Sequence, residues 1–157
     1  MVFIPRDPVV QNQFLTHDST WTATATAGAV VQLTGDELVA PVSGTPSGDP
    51  YGFLMQNVKA ESSAHPTGFR LPGDLGSSDA FTGDPVGVAH LGLYDTTHYD
   101  TASTFAAGDP LTTAANGTVT VSGSAQQINV VVVAVAQNTL DATAVAAGSN
   151  LRIKLLI

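Results

Sequence analysis

The sequence lacks cysteine and has few charged residues. Because the cysteine count is 0, disulfide scaffolds, thiol catalysis and zinc sites built from cysteine are excluded. Charged residues make up 11% of the 157-residue chain, whereas ordinary globular proteins contain about 25%. Apolar residues make up 43%, so the balance is the reverse of the one that keeps a chain disordered. The composition therefore predicts a folded chain with a real core.

Positive charge and long apolar runs are also scarce. Five Lys and Arg stand against 13 Asp and Glu, giving a net charge of −8 and a pI near 4.5, which argues against a nucleic-acid partner. The longest apolar run, residues 130–136, is far shorter than the ~20 residues of a membrane helix, so no membrane partner is expected. Pro5 and Pro8 interrupt the N-terminal segment, which does not read as a signal peptide. We expect synthesis in a cytoplasm.

The residues that are abundant favour strands over helices. Glu and Lys, which favour exposed helix faces, occur twice each, whereas Val and Thr are plentiful. Residues 20–27 alternate with period two, as in a half-buried strand. Further strands are predicted at residues 29–33, 51–58, 86–93, 119–121, 128–137 and 151–157. Residues 128–136 are apolar on both faces, which favours a central or covered strand. The sequence therefore predicts an all-β fold, either a barrel or a sandwich.

Gly-Asp dipeptides punctuate the chain. They occur at residues 35–36, 48–49, 73–74, 83–84 and 108–109, and proline follows three of them, at Pro50, Pro85 and Pro110. Glycine allows an unusual backbone angle, and the Asp carboxylate can accept hydrogen bonds from nearby N–H groups. Proline at the first position of a strand loses no ladder hydrogen bond. Each Gly-Asp-Pro therefore predicts a turn that begins a strand.

Three other local signals are present. Asn116-Gly117 before a Thr-Val alternation predicts a hairpin. Residues 140–147 predict a short helix, with Asp141 as its N-cap and Gly148 after its end. Residues 61–82, rich in Gly, Ser and Pro, predict a long surface excursion of unassigned role.

The densest polar cluster lies at residues 90–100, which offer two imidazoles and two carboxylates. These groups suit zinc or a harder ion, but their spacing matches no established ligand motif. A polar loop, an inter-subunit contact and a metal site all remain open, and the contact is favoured because aromatic and polar side chains suit interfaces. Tyr94, His98 and Tyr99 are its candidate contact residues. No metal and no cofactor is expected.

Motifs for catalysis are absent as well. The sequence contains no Gly-x-Ser-x-Gly nucleophile elbow, no phosphate loop and no dinucleotide fingerprint. The adjacent carboxylates of Asp36 and Glu37 are better explained as a hairpin tip than as a catalytic pair. We therefore expect no enzymatic activity and assign no catalytic residue.

Both ends of the chain are apolar. Residues 1–10 are stiffened by proline and form either a frayed terminus or an extended arm on a neighbouring molecule, with Phe3, Ile4, Pro5 and Arg6 as candidate contacts. Residues 151–157 end the chain on a strand, with Arg152 and Lys154 as further candidates. The predicted organisation is an N-terminal arm at 1–10 and a single β-rich domain at 11–157.

The rhythm of strands and turns resembles that of the capsid decoration, or cement, proteins of tailed bacteriophages. The segments that carry the resemblance are residues 28–33, 51–59, 83–89, 105–111, 116–119, 132–137 and 151–157. The likeness covers most of the chain but includes no diagnostic motif. It implies a small β-barrel or tulip-like domain with long loops. It also implies a homotrimer that binds the outside of the head at local three-fold positions.

The resemblance leads to one functional hypothesis and one alternative. The hypothesis is a virion structural protein, made in the host cytoplasm, that binds the major capsid protein on the capsid exterior and stabilises the shell. The alternative is a phage tail or fibre-tip module that binds a host receptor glycan.

Overall fold

The computed structural model describes residues 3–5, 12–17, 25–35, 38–42, 49–59, 79–82, 84–123 and 131–157. Within these ranges the chain forms thirteen strands, one 3₁₀ turn and one short helix, which confirms the all-β class. In chain order the strands are β1 (Phe3–Pro5), β2 (Asn12–His17), β3 (Val30–Gly35), β4 (Leu38–Pro41), β5 (Pro50–Leu54), β6 (Asn57–Lys59), β7 (Asp79–Phe81), β8 (Pro85–Ala89), β9 (Gly92–Thr96), β10 (Pro110–Thr113), β11 (Val119–Val121), β12 (Ala134–Ala136) and β13 (Leu151–Leu155). The 3₁₀ turn is Ala115–Gly117 and the helix, α1, is Ala142–Ala146.

The strands form a barrel and a six-stranded sheet. The barrel is closed in the order β2-β4-β3-β5-β8, and its pairs are antiparallel except β2 with β4. The antiparallel sheet has the order β1-β9-β13-β12-β10-β11. Strands β6 and β7 form a separate parallel pair. The barrel, which the sequence pattern left open beside a sandwich and which the resemblance implied, is therefore confirmed.

The Gly-Asp-Pro turns begin strands as predicted. Strands β5, β8 and β10 start at Pro50, Pro85 and Pro110. Asp109 Oδ2 accepts a hydrogen bond from the backbone N–H of Ala106 at 2.8 Å, and Asp84 Oδ2 accepts one from Phe81 at 3.1 Å. Each carboxylate therefore holds the turn closed by bonding the residue three positions before it.

The hairpin and helix signals are also confirmed. Asn116 and Gly117 turn the chain between β10 and β11 with φ values of 57° and 69°. The backbone N–H of Ala144 donates to Asp141 Oδ1 at 2.8 Å, which makes Asp141 the N-cap of α1. Gly148 follows the helix with a φ of 67°, a left-handed conformation that glycine adopts at little cost.

Several predicted strands have different bounds. Residues 51–58 contribute to two strands, β5 and β6, and residues 86–93 contribute to β8 and β9, which are separated at His90 and Leu91. Strands β3, β11 and β13 lie within or close to the predicted ranges 29–33, 119–121 and 151–157. Strand β12 is the described strand within 128–137. Residues 20–24, 61–78 and 128–130 lie outside the described residues. Residues 26–27 do not continue the strand predicted at 20–27, and residues 79–81 of the predicted excursion form β7.

Residues 90–100 do not form a single polar loop. Gly92–Thr96 is β9, and it lies inside the six-stranded sheet between β1 and β13. A buried carboxylate at Asp95 is tolerated there because Arg152, opposite it on β13, forms an ion pair with it. This compensation comes from a residue far away in the sequence.

The barrel and the six-stranded sheet contribute to a common hydrophobic cluster. Buried Phe53 from the barrel belongs to the same cluster as Tyr94 and Ile153 from the sheet. The backbone N–H of Gly117 donates to the Val42 carbonyl at 2.8 Å, so the β10–β11 turn is fixed against the barrel side. A second cluster contains further barrel residues, among them Val31, Leu54 and Val88. In the described ranges no helix has the length and apolarity needed to cross a membrane.

Candidate interaction surface

Strand β13 presents two basic side chains to solvent. Leu151, Ile153 and Leu155 are buried in the core, and Arg152 and Lys154 alternate with them on the exposed side. Successive residues of a strand point to opposite faces of the sheet, so Arg152 and Lys154 share a face. We call this side of the six-stranded sheet the outer face.

Neighbouring strands extend the outer face into a row. In the antiparallel registers Lys154 lies opposite Leu93 on β9 and opposite Val135 on β12, and Val135 in turn lies opposite Pro110 on β10. Directly opposite residues of an antiparallel sheet point to the same face. Leu93 and Val135 are partly buried, whereas Lys154 and Pro110 are exposed. The row across four strands is therefore apolar with one ammonium group near its middle.

Arg152 and Asp95 form an ion pair in the next row of the outer face. Arg152 Nε lies 3.1 Å from Asp95 Oδ1, and the side chains are 45% and 3% exposed. The buried carboxylate orients the guanidinium group and neutralises part of its charge. Arginine has further N–H donors besides Nε that a partner molecule could engage.

An exposed apolar end adjoins this face. Leu156 is 48% exposed and Leu91 is 43% exposed. The backbone N–H of Leu156 donates to the Val133 carbonyl at 3.0 Å. Leu155 lies opposite Gly92, the first residue of β9, so the next residue, Leu156, lies beside the β8–β9 turn that contains Leu91. Exposed apolar side chains that lie together mark interaction sites more often than scattered ones do.

The structure brings the predicted contact residues of β1 close to those of β13. Phe3, Ile4 and Pro5 pair with Thr96, Asp95 and Tyr94 of β9, so that β1 lies on one side of β9 and β13 on the other. These three N-terminal residues therefore pair with a strand of their own chain. Arg6 and the rest of the predicted arm lie outside the described residues, and the division into an arm and a domain stays a prediction.

Tyr94 and Tyr99 lie in the core, so their side chains are not available on the surface. Tyr94 is 0% exposed and Tyr99 is 4% exposed. The Tyr99 hydroxyl donates to the Ser149 carbonyl at 2.8 Å, and its ring packs edge-on against Phe105 with centroids 5.4 Å apart. Tyrosine is amphipathic, and in these two positions its apolar ring determines its location.

His98 is a hydrogen-bonding residue of the β10–β11 turn region. Its Nε2 lies 3.1 Å from the Asn116 carbonyl oxygen. Burial lowers the pKa of His98, and the hydrogen bond to Asn116 opposes this effect. Among the described residues, no three His, Cys, Asp or Glu side chains come together as a metal site. The expectation that the chain binds no metal stays a prediction.

The position of Tyr94 predicts a loss of stability at high pH. Burial raises the pKa of Tyr94 to about 12 from its usual value of 10. Between these values the unfolded chain releases the phenol proton while the folded chain keeps it, so the free energy of unfolding falls as the pH rises. The free energy of unfolding should be measured with urea below pH 10 and near pH 12. Over this rise in pH, Tyr94→Phe should lose less unfolding free energy than the original chain. An equal loss would mean that the Tyr94 hydroxyl is open to solvent.

The sequence indicated Arg152 and Lys154 as contact residues but did not indicate the apolar residues beside them. Leu156 continues the alternation of residues 152 and 154, so the sequence already contained a signal for its exposure. Leu93, Val135 and Pro110 carried no such signal because only the register of four strands places them in one row. The same holds for the pairing of Asp95 with Arg152.

Comparison with known proteins identifies a shared fold. The chain resembles the N base of the head fiber protein gp8.5 of bacteriophage phi29, whose crystal structure superposes with a TM-score of 0.53. The alignment covers 94% of this chain and 95% of that chain, at 12% sequence identity. No protein-family description matches the sequence, and no curated protein does. At this identity the likeness establishes the fold alone.

Proposed function

We propose that this chain is a structural protein of a bacteriophage virion that binds the outer surface of the capsid and stabilises it. The observation that carries the proposal is the fold shared with a head fiber base along nearly the full length of both chains. The resemblance of the strand and turn pattern to cement proteins supports the same class. In this proposal the partner is the major capsid protein, the chain assembles as a homotrimer, and it has no enzymatic activity.

The sheet is suited to such a contact. The backbone groups of β9, β13, β12 and β10 are paired with neighbouring strands of the six-stranded sheet, so a partner can cover the outer face of these strands without leaving those groups unsatisfied. Val135 and Pro110 have short or rigid side chains, which lose little conformational entropy when they are covered. A net charge of −8 favours solubility of the free protein.

Capsid stabilisation can be measured by heating. A ligand that binds the assembled shell but not its disrupted form stabilises each site by about 2.7 kcal/mol when its free concentration is 100-fold above Kd. Particles that lack the protein and the same particles saturated with it should be heated while genome release is monitored. We expect coated particles to release their genome at a higher temperature. Equal release temperatures at full occupancy would contradict the stabilising role.

The alternative is a tail or fibre-tip module that binds a host receptor glycan. It is supported by the same comparison, because the neighbouring structure belongs to a fiber. The two functions differ in what the purified protein recognises. A cement protein binds particles that lack it and leaves host cells unlabelled, whereas a receptor-binding module labels host cells, and soluble glycan competes with that labelling.

A further inference from the structure

Among the described residues, two of the three positively charged side chains lie on the outer face. The described residues include three Lys and Arg side chains, Lys59, Arg152 and Lys154. Lys59 forms an ion pair with Asp79 on the β6–β7 pair. Arg152 and Lys154 lie two residues apart on the exposed side of β13, and the one carboxylate in their rows, Asp95, is buried. The described part of the outer face therefore carries a net positive charge, although the chain as a whole is acidic.

We infer that the outer face around β13 is the surface that docks on the capsid, and that it meets a carboxylate-rich surface of the shell protein. This inference rests on the proposed function. Lys154 lies between Leu93 and Val135, and exposed Leu156 follows the last residue of β13. The face therefore offers apolar contacts around a positive charge. An acidic shell surface would attract this face and repel the acidic remainder of the molecule, which orients the protein before contact.

A second copy related by a two-fold axis is a less suitable occupant of this face. A two-fold contact uses the same patch on both molecules, so it would place the basic residues of one copy against those of the other. Like charges that face each other across an interface are unfavourable and select against the wrong partner. A partner with carboxylates at the matching positions has no such cost.

The charge can be tested at Lys154. We expect Lys154→Glu to weaken binding to particles that lack the protein by about tenfold or more, and Lys154→Gln to weaken it less. The loss should be largest at low salt, since screening reduces the attraction in the original protein. Lys59→Gln is the matched control because it has the same net charge as Lys154→Gln but lies outside the face, and it should bind like the original protein.

The apolar part can be tested with two leucines of equal exposure. Leu156 on the proposed face is 48% exposed and Leu33 on barrel strand β3 is 49% exposed. We expect Leu156→Ser to weaken binding to the particles and Leu33→Ser to leave it unchanged. Circular dichroism melting of all variants separates a loss of contact from a loss of folding.

The outcomes distinguish the inference from the proposed function. If the original protein does not bind the particles at all, the proposed function fails. If it binds and the Lys154 and Leu156 variants bind equally well, the docking face is wrong while the proposed function stands. If light scattering shows that these variants change the oligomeric mass instead, the face joins copies of this chain, which also overturns the inference.

Discussion

Replacing Gly117 with alanine is expected to lower the free energy of unfolding by about 2–5 kcal/mol. A Cβ atom at this position would lie 2.6 Å from the Val30 carbonyl oxygen and 3.0 Å from the Val30 nitrogen. Both are backbone atoms of β3 in the barrel, so they cannot move without displacing the strand. The φ of +69° adds the strain of a left-handed conformation for a residue that has a side chain.

Gly148→Ala is the matched control for this substitution. Gly148 has nearly the same φ, +67°, but a Cβ there meets no described atom within 4 Å. It should cost only about 1–2 kcal/mol, which is the conformational strain alone. Urea unfolding followed by circular dichroism gives both values. Equal losses for the two variants would mean that the β10–β11 turn does not pack against the barrel.

Phe53→Ala is expected to cost about 3–5 kcal/mol, because it removes a large buried ring and leaves a cavity. Phe53 is 0% exposed on barrel strand β5, where it pairs with Val30 and Ala89. It belongs to the cluster that also contains Tyr94 and Ile153 of the six-stranded sheet. The loss should therefore affect the barrel and the sheet together, in one cooperative transition.

Leu33→Ala provides the control for Phe53→Ala. Leu33 lies on the adjacent strand β3 and is 49% exposed, so its truncation should change stability by no more than about 0.5 kcal/mol. Two separate transitions in Phe53→Ala, one of them unchanged from the original chain, would show that the barrel and the sheet unfold independently. That result would contradict the prediction of a single domain at residues 11–157.

Local signals in the sequence predicted local structure well. Pro50, Pro85 and Pro110 each begin a strand because a Gly-Asp turn and a proline act within a few residues of each other. Asp141 caps α1 for the same reason, since its carboxylate bonds a backbone N–H three residues later. In such cases the interacting groups are neighbours in the chain, so the sequence displays both partners.

Features that depend on distant residues could not be predicted in this way. The dense polar groups of residues 90–100 favour a loop, but Asp95 lies in strand β9, where Arg152 lies opposite and forms an ion pair with it. The location of Tyr94 in the core also depends on the pairing of β9 with β1 and β13. The contact surface could not be predicted for the same reason. Its row of side chains forms only when β9, β13, β12 and β10 pair in the observed register.

The most direct measurement of the central claim is the copy number of this protein in purified phage particles. Quantitative mass spectrometry can compare peptides of this chain with those of the major capsid protein in the same sample. A cement protein that occupies sites over the whole shell should be present at a copy number close to that of the shell protein. A handful of copies per particle, or none, would contradict the account, and a handful would favour a tail or fibre-tip module.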